Sequence, residues 1–266
     1  MMRSSNVWSR LCTNRCYSFT RSSGAAGYGG NLTEIIHSSI AEALLYKECE
    51  FDALIVENTH DTPYLKGADV GPETTAAMTV ICQSLKSETK MPIGVQILAG
   101  ANTEALAVAI ACNLEFIRVE GFVFAHVGDE GFHDACAGKL VRQRFHLQAE
   151  NVKIFADIKK KHSAHAITSD ISIAETAKNA EYFKADGVIV TGISTGTAAD
   201  VEEVKAVDKA VSIPVLIGSG VTAENLREYS QCSDALIIGS DVKVDGQWQN
   251  ALDRERCKRI VAAARE

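Results

Sequence analysis

Titratable side chains crowd into one short stretch of the chain, the segment DIKKKH from Asp157 to His162. An aspartate beside lysines ionises readily and keeps the amines charged, which suits general acid–base chemistry or anion binding. Side chains alternate along an extended segment, so Asp157, Lys159 and Lys161 are expected on one side and Lys160 on the other. Asp157, Lys159, Lys161 and His162 are therefore candidate catalytic residues. The alternative is a solvated basic loop.

Two apolar runs near the end of the chain finish in glycine, PVLIGSG at 214–220 and ALIIGS at 235–240. Backbone N–H groups beside glycine can approach an anion closely, so the two turns together predict a phosphate site. The candidate ligands at these turns and after the preceding run are Gly218, Ser219, Gly220, Gly239, Ser240, Thr191, Gly192 and Thr195. The alternative is that the glycines only turn the chain or allow close packing.

Two glutamates, Glu57 and Glu120, end other apolar runs. Carboxylates gathered at one site could exchange protons with a substrate, so both are candidate catalytic residues. Arg118 lies two residues before Glu120 and on the same face of an extended segment. It could bind substrate or form an ion pair inside the core. Asn58 could orient a substrate through hydrogen bonds.

The stretch HVGDEGFHD at 126–134 lies in a long connection and combines histidines with carboxylates. Its spacing matches no known pattern of metal ligands, so no metal is assigned and the cofactor is left unknown. Connections of this length often act as lids or binding loops, and we expect a lid.

Strand-like and helix-like segments alternate along the chain and must position these residues. Seven apolar runs typical of buried strands lie at 52–57, 92–98, 116–120, 152–157, 187–191, 214–220 and 235–240. Amphipathic segments separate them, and this alternation predicts a mainly parallel sheet. Closure into a (β/α)8 barrel is favoured because polar residues end successive strands, and a barrel collects those ends at one mouth. The glycine turns would follow strands seven and eight, where such barrels frequently hold phosphate.

The sequence contains no apolar run typical of a first barrel strand. A helix is predicted at 31–49, and a strand should precede it. The available fragment is CYSFT at 16–20, which is short and lies in a segment rich in arginine and serine. The first strand is therefore predicted to be degenerate or missing.

Composition narrows the class of protein and its partners. With 46% hydrophobic residues, the 266-residue chain can bury a large core in a single domain. Its longest apolar stretches fall well short of the roughly 20 residues that cross a bilayer, so no membrane span is expected. The net charge is −7, which argues against a nucleic-acid partner. Eight scattered cysteines without a CxxC pair indicate reduced thiols.

Residues 1–24 contain arginine, serine and interspersed aromatic residues without any acidic residue. This composition is typical of a mitochondrial targeting segment. The alternative is a disordered tail on a cytoplasmic protein. Residues 25–266 are then expected to form the barrel domain.

Several strand-end motifs resemble those of the BtpA family, barrel proteins named for a role in photosystem I accumulation. The matching stretches are VEN at 56–58, GPETTAAM at 71–78, GVQIL at 94–98, FIRVE at 116–120, DEG at 129–131, FADIKKKH at 155–162, DGVIVTG at 186–192 and PVLIGSG at 214–220. The resemblance implies a barrel of the ribulose-phosphate-binding kind, in a family with no firmly assigned reaction. Members usually open with a strand containing Met-X-His, and here only GYGG at 27–30 fits the end of that pattern.

These observations together predict an enzyme that acts on a phosphorylated small molecule, a sugar phosphate or nucleotide-like compound, at the barrel mouth. Isomerase, lyase and glycosyl-bond-cleaving reactions all stay open. The alternative is a non-enzymatic factor that assembles or stabilises a protein complex. The oligomeric state is undetermined, and a homo-oligomer is one of the alternatives.

Overall fold

The computed structural model describes residues 30–265 and the backbone of residues 11–16. The strands in this part of the chain are, in order, β1 (Leu11–Cys16), β2 (Ala53–Glu57), β3 (Ile93–Gln96), β4 (Phe116–Val119), β5 (His126–Gly128), β6 (Gly131–His133), β7 (Lys153–Ile158), β8 (Ser163–Ala164), β9 (Gly187–Val190), β10 (Val215–Ile217) and β11 (Ala235–Ile238). The α-helices are α1 (Leu32–Glu48), α2 (Pro72–Thr89), α3 (Asn102–Ala111), α4 (Ala137–His146), α5 (Ile173–Tyr182), α6 (Val201–Ala210), α7 (Leu226–Tyr229) and α8 (Arg254–Arg265). Short 3-10 helices lie at Gly67–Asp69, Ala166–Thr168, Ser240–Val242 and Val244–Gly246.

Eight parallel strands close into a barrel in the order β1, β11, β10, β9, β7, β4, β3 and β2. Helices follow the strands and cover the outside, so the predicted (β/α)8 architecture is confirmed. The remaining strands form a small antiparallel sheet in the order β6, β5 and β8. This sheet joins the connection after β4 to the segment after β7.

Strand β1 is present and lies earlier than the fragment at 16–20 that the sequence suggested. It pairs with β2 and with β11, for example Thr13 with Leu54 and Cys12 with Ile237. Its sequence LCTNRC is polar in the middle, so the strand is degenerate rather than missing. Residues 17–20 lie outside the described residues. The strand itself falls within residues 1–24, the segment whose composition predicts a targeting function.

Side chains along each barrel strand point alternately into the barrel and toward the helices, which gives two apolar layers. Inward-facing residues form a small core that includes Ile55, Phe116, Phe155, Ile189 and Leu216. Outward-facing residues of the same strands join the larger core beneath the helices. Because the side-chain period of a strand is two, the residue two positions after each inner residue also faces inward. The inner face therefore ends in polar or small residues at the carboxyl ends of the strands.

One glycine makes room inside the barrel. A Cβ atom at Gly94 in β3 would lie 2.1 Å from the ring of Phe116. The absence of a side chain at this inward position lets that ring and the ring of Phe155 meet, with centroids 5.3 Å apart. The floor beneath the mouth is thus filled by aromatic side chains.

Local capping explains where several helices begin. Asn31, Ser172 and Asp200 each accept a hydrogen bond from a backbone N–H of the following first turn, at the starts of α1, α5 and α6. Helix α2 begins with Pro72, whose missing N–H costs nothing at that position. In the part of the chain that the structure describes, the helices are too short or too polar to cross a membrane.

Candidate active site at the barrel mouth

Arg118 lies at the centre of the barrel mouth and joins carboxylates from two other strands. Its Nε donates to Oδ2 of Asp157 over 2.8 Å, and its Nη2 donates to Oδ1 of the same carboxylate over 2.9 Å. Its Nη1 donates to Oε1 of Glu57 over 3.1 Å. Each of the three residues lies on the inner face at or next to the end of its strand, so the three side chains meet at the mouth.

Burial shapes the ionisation of these groups. Arg118 is 3% exposed and Glu57 is 4% exposed. Burial raises the pKa of Glu57 above its ordinary value, although the guanidinium of Arg118 opposes that rise. Burial would lower the pKa of Arg118, but the carboxylates of Asp157 and Glu57 raise it, so the arginine stays charged. Glu57 therefore holds a proton more readily than an ordinary carboxyl group does.

Glu120 forms a second charged group beside the first. Its Oε1 accepts a hydrogen bond of 3.0 Å from Nε2 of Gln96, at the end of β3. Its Oε2 is buried and accepts no hydrogen bond from residues 30–265, while Nζ of Lys160 lies 3.6 Å away. Lys160 is 8% exposed. Glu120 therefore offers a buried oxygen to a ligand, next to a fixed positive charge.

The lysine segment after β7 departs from the expected alternation. Lys160 lies in the mouth beside Glu120, whereas Nζ of Lys159 donates to the backbone oxygen of Thr168 over 2.9 Å and does not line the cavity. The expectation that Lys159 shares the mouth and that Lys160 faces away is wrong. The strand ends at Ile158, and Lys159 adopts a positive φ of 44°, so the two-residue period does not continue.

His162 and Lys161 do reach the cavity. The ring of His162 lies 3.0 Å from Oγ1 of Thr195, measured from Nε2. Burial and then the charge of Lys161 lower the pKa of His162 below its ordinary value, so the imidazole is neutral near pH 7. Thr191 accepts a hydrogen bond from the backbone N–H of Lys161, which fixes the lysine segment to β9.

A cavity of about 310 Å³ opens at the carboxyl ends of the strands. Its walls carry Glu57, Arg118, Glu120 and side chains from loops around the mouth, whereas Asp157 does not line it. The lining residues are Glu57, Thr59, Thr62, Tyr64, Gln96, Leu98, Arg118, Glu120, Asp129, Glu130, Lys160, Lys161, His162, Ser194, Thr195 and Trp248. Asp129 and Glu130 form the turn of the β5–β6 hairpin, so the connection expected to be a lid supplies one wall.

Aromatic side chains form another part of the wall. The indole of Trp248 is half-buried and packs on the ring of His60, with centroids 5.0 Å apart and planes tilted by 56°. The hydroxyl of Tyr64 donates to the backbone oxygen of Thr59 over 2.5 Å, which holds the phenol ring at the mouth. No motif in the sequence pointed to these residues, although the tryptophan in the polar segment GQWQN is a signal for an aromatic side chain at the surface.

The glycine turns lie behind the loop after β9 and do not line the cavity. Oγ of Ser219 accepts from the backbone N–H of Gly192 over 2.7 Å and donates to the oxygen of Thr197 over 3.0 Å. A Cβ at Gly220, whose φ is +67°, would lie 2.3 Å from the backbone nitrogen of Ala198. Close packing against this loop therefore explains why position 220 is a glycine.

The first turn nevertheless approaches the central arginine. A Cβ at Gly218 would lie 3.1 Å from Nη2 of Arg118. The backbone N–H groups of Ser219, Gly220 and Ser240 find no acceptor among residues 30–265. Gly239 and Ser240 follow β11 beside the loop, since a Cβ at Gly196 would lie 3.8 Å from Oγ of Ser240.

Asn58 is buried beneath the mouth. Its Nδ2 donates to Oδ2 of Asp61 over 3.0 Å, and its Oδ1 accepts from the backbone N–H of Leu98 over 2.7 Å. Both ends of the amide are engaged in joining the loops after β2 and β3. Asn58 thus supports the residues that line the cavity and does not line it itself.

Histidines gather beside the mouth at the base of the hairpin. The rings of His126 and His133 stack with centroids 5.0 Å apart, and His165 lies 5.5 Å from His126. Burial and the charge of Lys160 lower the pKa of His126 to about 3, so its ring is neutral. Across the described ranges, no three His, Cys, Asp or Glu side chains are arranged to hold a metal ion.

Comparison with known sequences finds one family. The model of the BtpA family matches residues 20–266. A Caenorhabditis elegans protein whose name reads as uncharacterised and mitochondrial is 48% identical over 235 residues, covering 86% of this chain and 84% of its own. The photosystem I biogenesis protein BtpA of Synechocystis is 32% identical over 243 residues, covering 91% and 84%.

Solved structures with the same barrel are distant in sequence. Orotidine 5'-monophosphate decarboxylase from Methanocaldococcus jannaschii has a TM-score of 0.60 at 13% identity, with 98% of this chain and all of that chain covered. (S)-3-O-geranylgeranylglyceryl phosphate synthase from Thermoplasma acidophilum has a TM-score of 0.59 at 15% identity, with 97% and 93% covered. At these identities the likeness establishes the fold: a TIM-type barrel shared with phosphate-binding enzymes.

Proposed function

This chain belongs to the BtpA family, and from that premise we propose that it is an enzyme acting on a phosphorylated small molecule at the barrel mouth. The observation that carries the proposal is the meeting of Glu57, Arg118 and Asp157, because Glu57 and Arg118 line the 310 Å³ cavity and Asp157 holds the guanidinium of Arg118. Charged groups buried together are costly for stability, and such groups concentrate at catalytic sites. Carboxyl ends of barrel strands are where active sites form.

The chemistry that suits this mouth is proton transfer. Glu57, with its raised pKa, can act as a general acid toward a ligand. Glu120 can act as a base or bind a hydroxyl group through its Oε2, which accepts no hydrogen bond from residues 30–265. Lys160 and Arg118 are fixed positive charges that would stabilise negative charge developing on the substrate. Asp157 holds the guanidinium of Arg118 in place. Isomerase, lyase and glycosyl-bond-cleaving reactions are all compatible with these groups.

The phosphate group of the ligand is assigned to the side of the mouth that follows β7 and β9. Lys161, His162, Ser194 and Thr195 line the cavity there with one ammonium group, an imidazole and two hydroxyl groups. Behind them, the N–H groups of Ser219, Gly220 and Ser240, which find no acceptor among residues 30–265, could extend the anion site if the loop after β9 moves. The residues Gly218, Thr191, Gly192 and Gly239 then shape this anion site without touching the cavity.

Structural neighbours support a phosphorylated ligand. The geranylgeranylglyceryl phosphate synthase is in complex with its substrate sn-glycerol-1-phosphate, and the decarboxylase acts on orotidine 5'-monophosphate. Both enzymes share the barrel with this chain, and the ligand class is carried over here as part of the proposal.

A direct test uses the purified full-length protein. Mass spectrometry of the compounds released on denaturation should identify a phosphorylated small molecule, and inorganic phosphate should displace it in native mass spectra. The Glu57→Gln variant should bind the identified compound and fail to convert it. A protein that releases no phosphorylated compound and gives no calorimetric signal with millimolar inorganic phosphate would refute the proposal.

The alternative function is a factor that assembles or stabilises a protein complex. It is favoured by one observation, the name of the Synechocystis relative as a photosystem I biogenesis protein. A factor acting through its outer surface should retain its effect in the Glu57→Gln variant, since that side chain is buried in the mouth. If the protein acts as an enzyme, the Glu57→Gln variant should lose that effect.

A mitochondrial location is also proposed, with a targeting signal in residues 1–24. Because β1 pairs with β2 and β11, the barrel domain begins within this segment and not at residue 25, the boundary that composition predicted. The name of the Caenorhabditis elegans relative and the arginine-rich composition of this segment support the mitochondrial location. Fractionation of cells expressing the tagged chain, with mass spectrometry of its N-terminus, tests both the location and cleavage. An uncleaved protein in the cytosol would contradict it.

A further inference from the structure

We propose that the phosphorylated ligand carries a planar ring, such as a nucleobase, that stacks on Trp248 while its phosphate group lies on the opposite side of the mouth. This inference rests on the proposed function and narrows it to the class of nucleoside monophosphates and related phosphoribosyl compounds. It follows from the division of the cavity wall into an aromatic side and a cationic side.

The aromatic side is formed by three loops that are neighbours in space. Trp248 follows β11, Tyr64 follows β2 and Leu98 follows β3. In the barrel β11 and β2 flank β1, and β3 lies next to β2. The three side chains therefore share one part of the rim, although Tyr64 and Trp248 lie far apart in the sequence.

Trp248 has the geometry of a stacking platform. Its ring is half-buried, lines the cavity and is supported from behind by the ring of His60 at a centroid distance of 5.0 Å. Tyr64 is held by its hydrogen bond to Thr59. A large aromatic ring kept partly exposed in a concave site presents a flat apolar face, which planar ligand rings bind by stacking.

The cationic side lies across the mouth. Lys161 and His162 follow β7, and Ser194 and Thr195 follow β9, which are adjacent strands. In the barrel, β4 separates β7 from β3, and β10 separates β9 from β11. The cationic side is therefore separated from the aromatic side by one strand in each direction. A ligand that reaches both sides must extend over the centre, where Glu57, Arg118 and Glu120 lie.

The centre suits the hydroxyl groups of a sugar. Oε2 of Glu120 is a buried acceptor that receives no hydrogen bond from residues 30–265, and Nε2 of Gln96 bonds the other oxygen of the same carboxylate. A volume of about 310 Å³ is at the small end of ligand sites, which span roughly 300–1,000 Å³. The size fits one nucleoside monophosphate and is too small for a dinucleotide cofactor. A ring, a sugar and a phosphate in that order match the three zones of the wall.

The test measures binding by calorimetry to the full-length chain. The probes are adenosine 5'-monophosphate, uridine 5'-monophosphate, ribose 5-phosphate and inorganic phosphate. At least one nucleoside monophosphate should bind about 10-fold or more tightly than ribose 5-phosphate, since stacking of a base on an aromatic ring contributes about that factor. Trp248→Leu should abolish this difference, and Trp248→Phe should keep part of it.

Fluorescence gives an independent readout. The chain has two tryptophans, Trp8 and Trp248, so the Trp8→Phe variant leaves Trp248 as the reporter. Its emission should be quenched by the nucleoside monophosphate and not by ribose 5-phosphate.

The outcomes separate this inference from the function on which it rests. Equal binding of ribose 5-phosphate and the nucleoside monophosphates, or an unchanged preference in Trp248→Leu, would overturn the stacking inference and leave the phosphorylated ligand standing. Failure of all four probes to bind would refute the proposed function and the inference together. A Trp248→Leu variant that melts at the parent temperature excludes loss of folding as the cause of lost binding.

Discussion

Arg118 and Asp157 meet through two parallel hydrogen bonds of 2.8 and 2.9 Å across the interior of the barrel. The pair joins β4 to β7, which are adjacent strands, and Glu57 from β2 bonds the same guanidinium from a strand two places away. The guanidinium is thereby fixed in position and orientation before any ligand binds. A preorganised charge of this kind is what a site needs to stabilise charge in a reaction.

Removal of Asp157 should destabilise the fold strongly. Asp157→Ala removes the carboxylate that accepts two hydrogen bonds from the buried guanidinium of Arg118, and breaking such a pair typically costs about 3–5 kcal/mol. Urea denaturation measures the free energy of unfolding. As the control, Glu175→Gln removes an exposed pair with Lys178 and should cost less than about 1 kcal/mol. Equal effects of the two substitutions would contradict the buried pairing.

The ionisation of Glu57 should appear in the dependence of stability on pH. Burial raises the pKa of this carboxyl above its ordinary 4.5, so the folded state holds the proton more tightly than the unfolded state. The stability contributed by the protonated form is complete below pH 4.5 and is lost as pH rises through the folded-state pKa. Relative to Glu57→Gln, the parent should therefore lose stability across that window. Urea titrations from pH 4 to pH 8 would disprove this if the difference stayed constant or grew.

Lys160 and Lys159 should differ in their effects on ligand binding. Lys160 is buried beside Glu120 in the cavity, whereas Lys159 bonds to the backbone of Thr168 outside it. Lys160→Met should weaken binding of the co-purifying compound at least 10-fold in calorimetry, and Lys159→Met should have a clearly smaller effect. A larger effect of Lys159→Met than of Lys160→Met would support the orientation expected from the sequence, with Lys159 in the mouth.

Side chains at the rim after β7 and β9 should govern the affinity for phosphate. Lys161→Gln and Thr195→Val remove an ammonium group and a hydroxyl group that line the cavity, and each should weaken the binding of inorganic phosphate several-fold. Lys205→Gln removes an exposed lysine of α6 that pairs with Glu202, and it is the matched control. If the rim substitutions leave the affinity for phosphate unchanged, the anion site lies at the glycine turns instead.

Deletion of residues 1–24 should lower the melting temperature. It removes β1, which bonds to both β2 and β11, and it leaves two unpaired strand edges in the barrel. Calorimetry of the full-length chain and of residues 25–266 gives the comparison. An unchanged melting temperature would show that β1 contributes little to the closed barrel.

The sequence by itself determined seven of the barrel strands and the residues at their ends. These strands are β2, β3, β4, β7, β9, β10 and β11. Alternation of apolar side chains has a period of two, and that local rule places Glu57, Arg118 and Asp157 on the inner face without any knowledge of the rest of the fold. The alternation of strands and helices predicted a mainly parallel sheet, and the polar residues at the strand ends favoured its closure into a barrel. The mouth was predictable because parallel strands of a barrel all end on the same side.

The tertiary structure decided what lies beyond the strand ends. There the period of two no longer applies, so the positions of Lys159 and Lys160 depend on a single backbone turn. The contact of Gly220 with Ala198 and the meeting of Trp248 with Tyr64 at one rim join segments far apart in the chain. Loop conformations are set by such long-range contacts, and a sequence pattern that repeats locally carries no record of them.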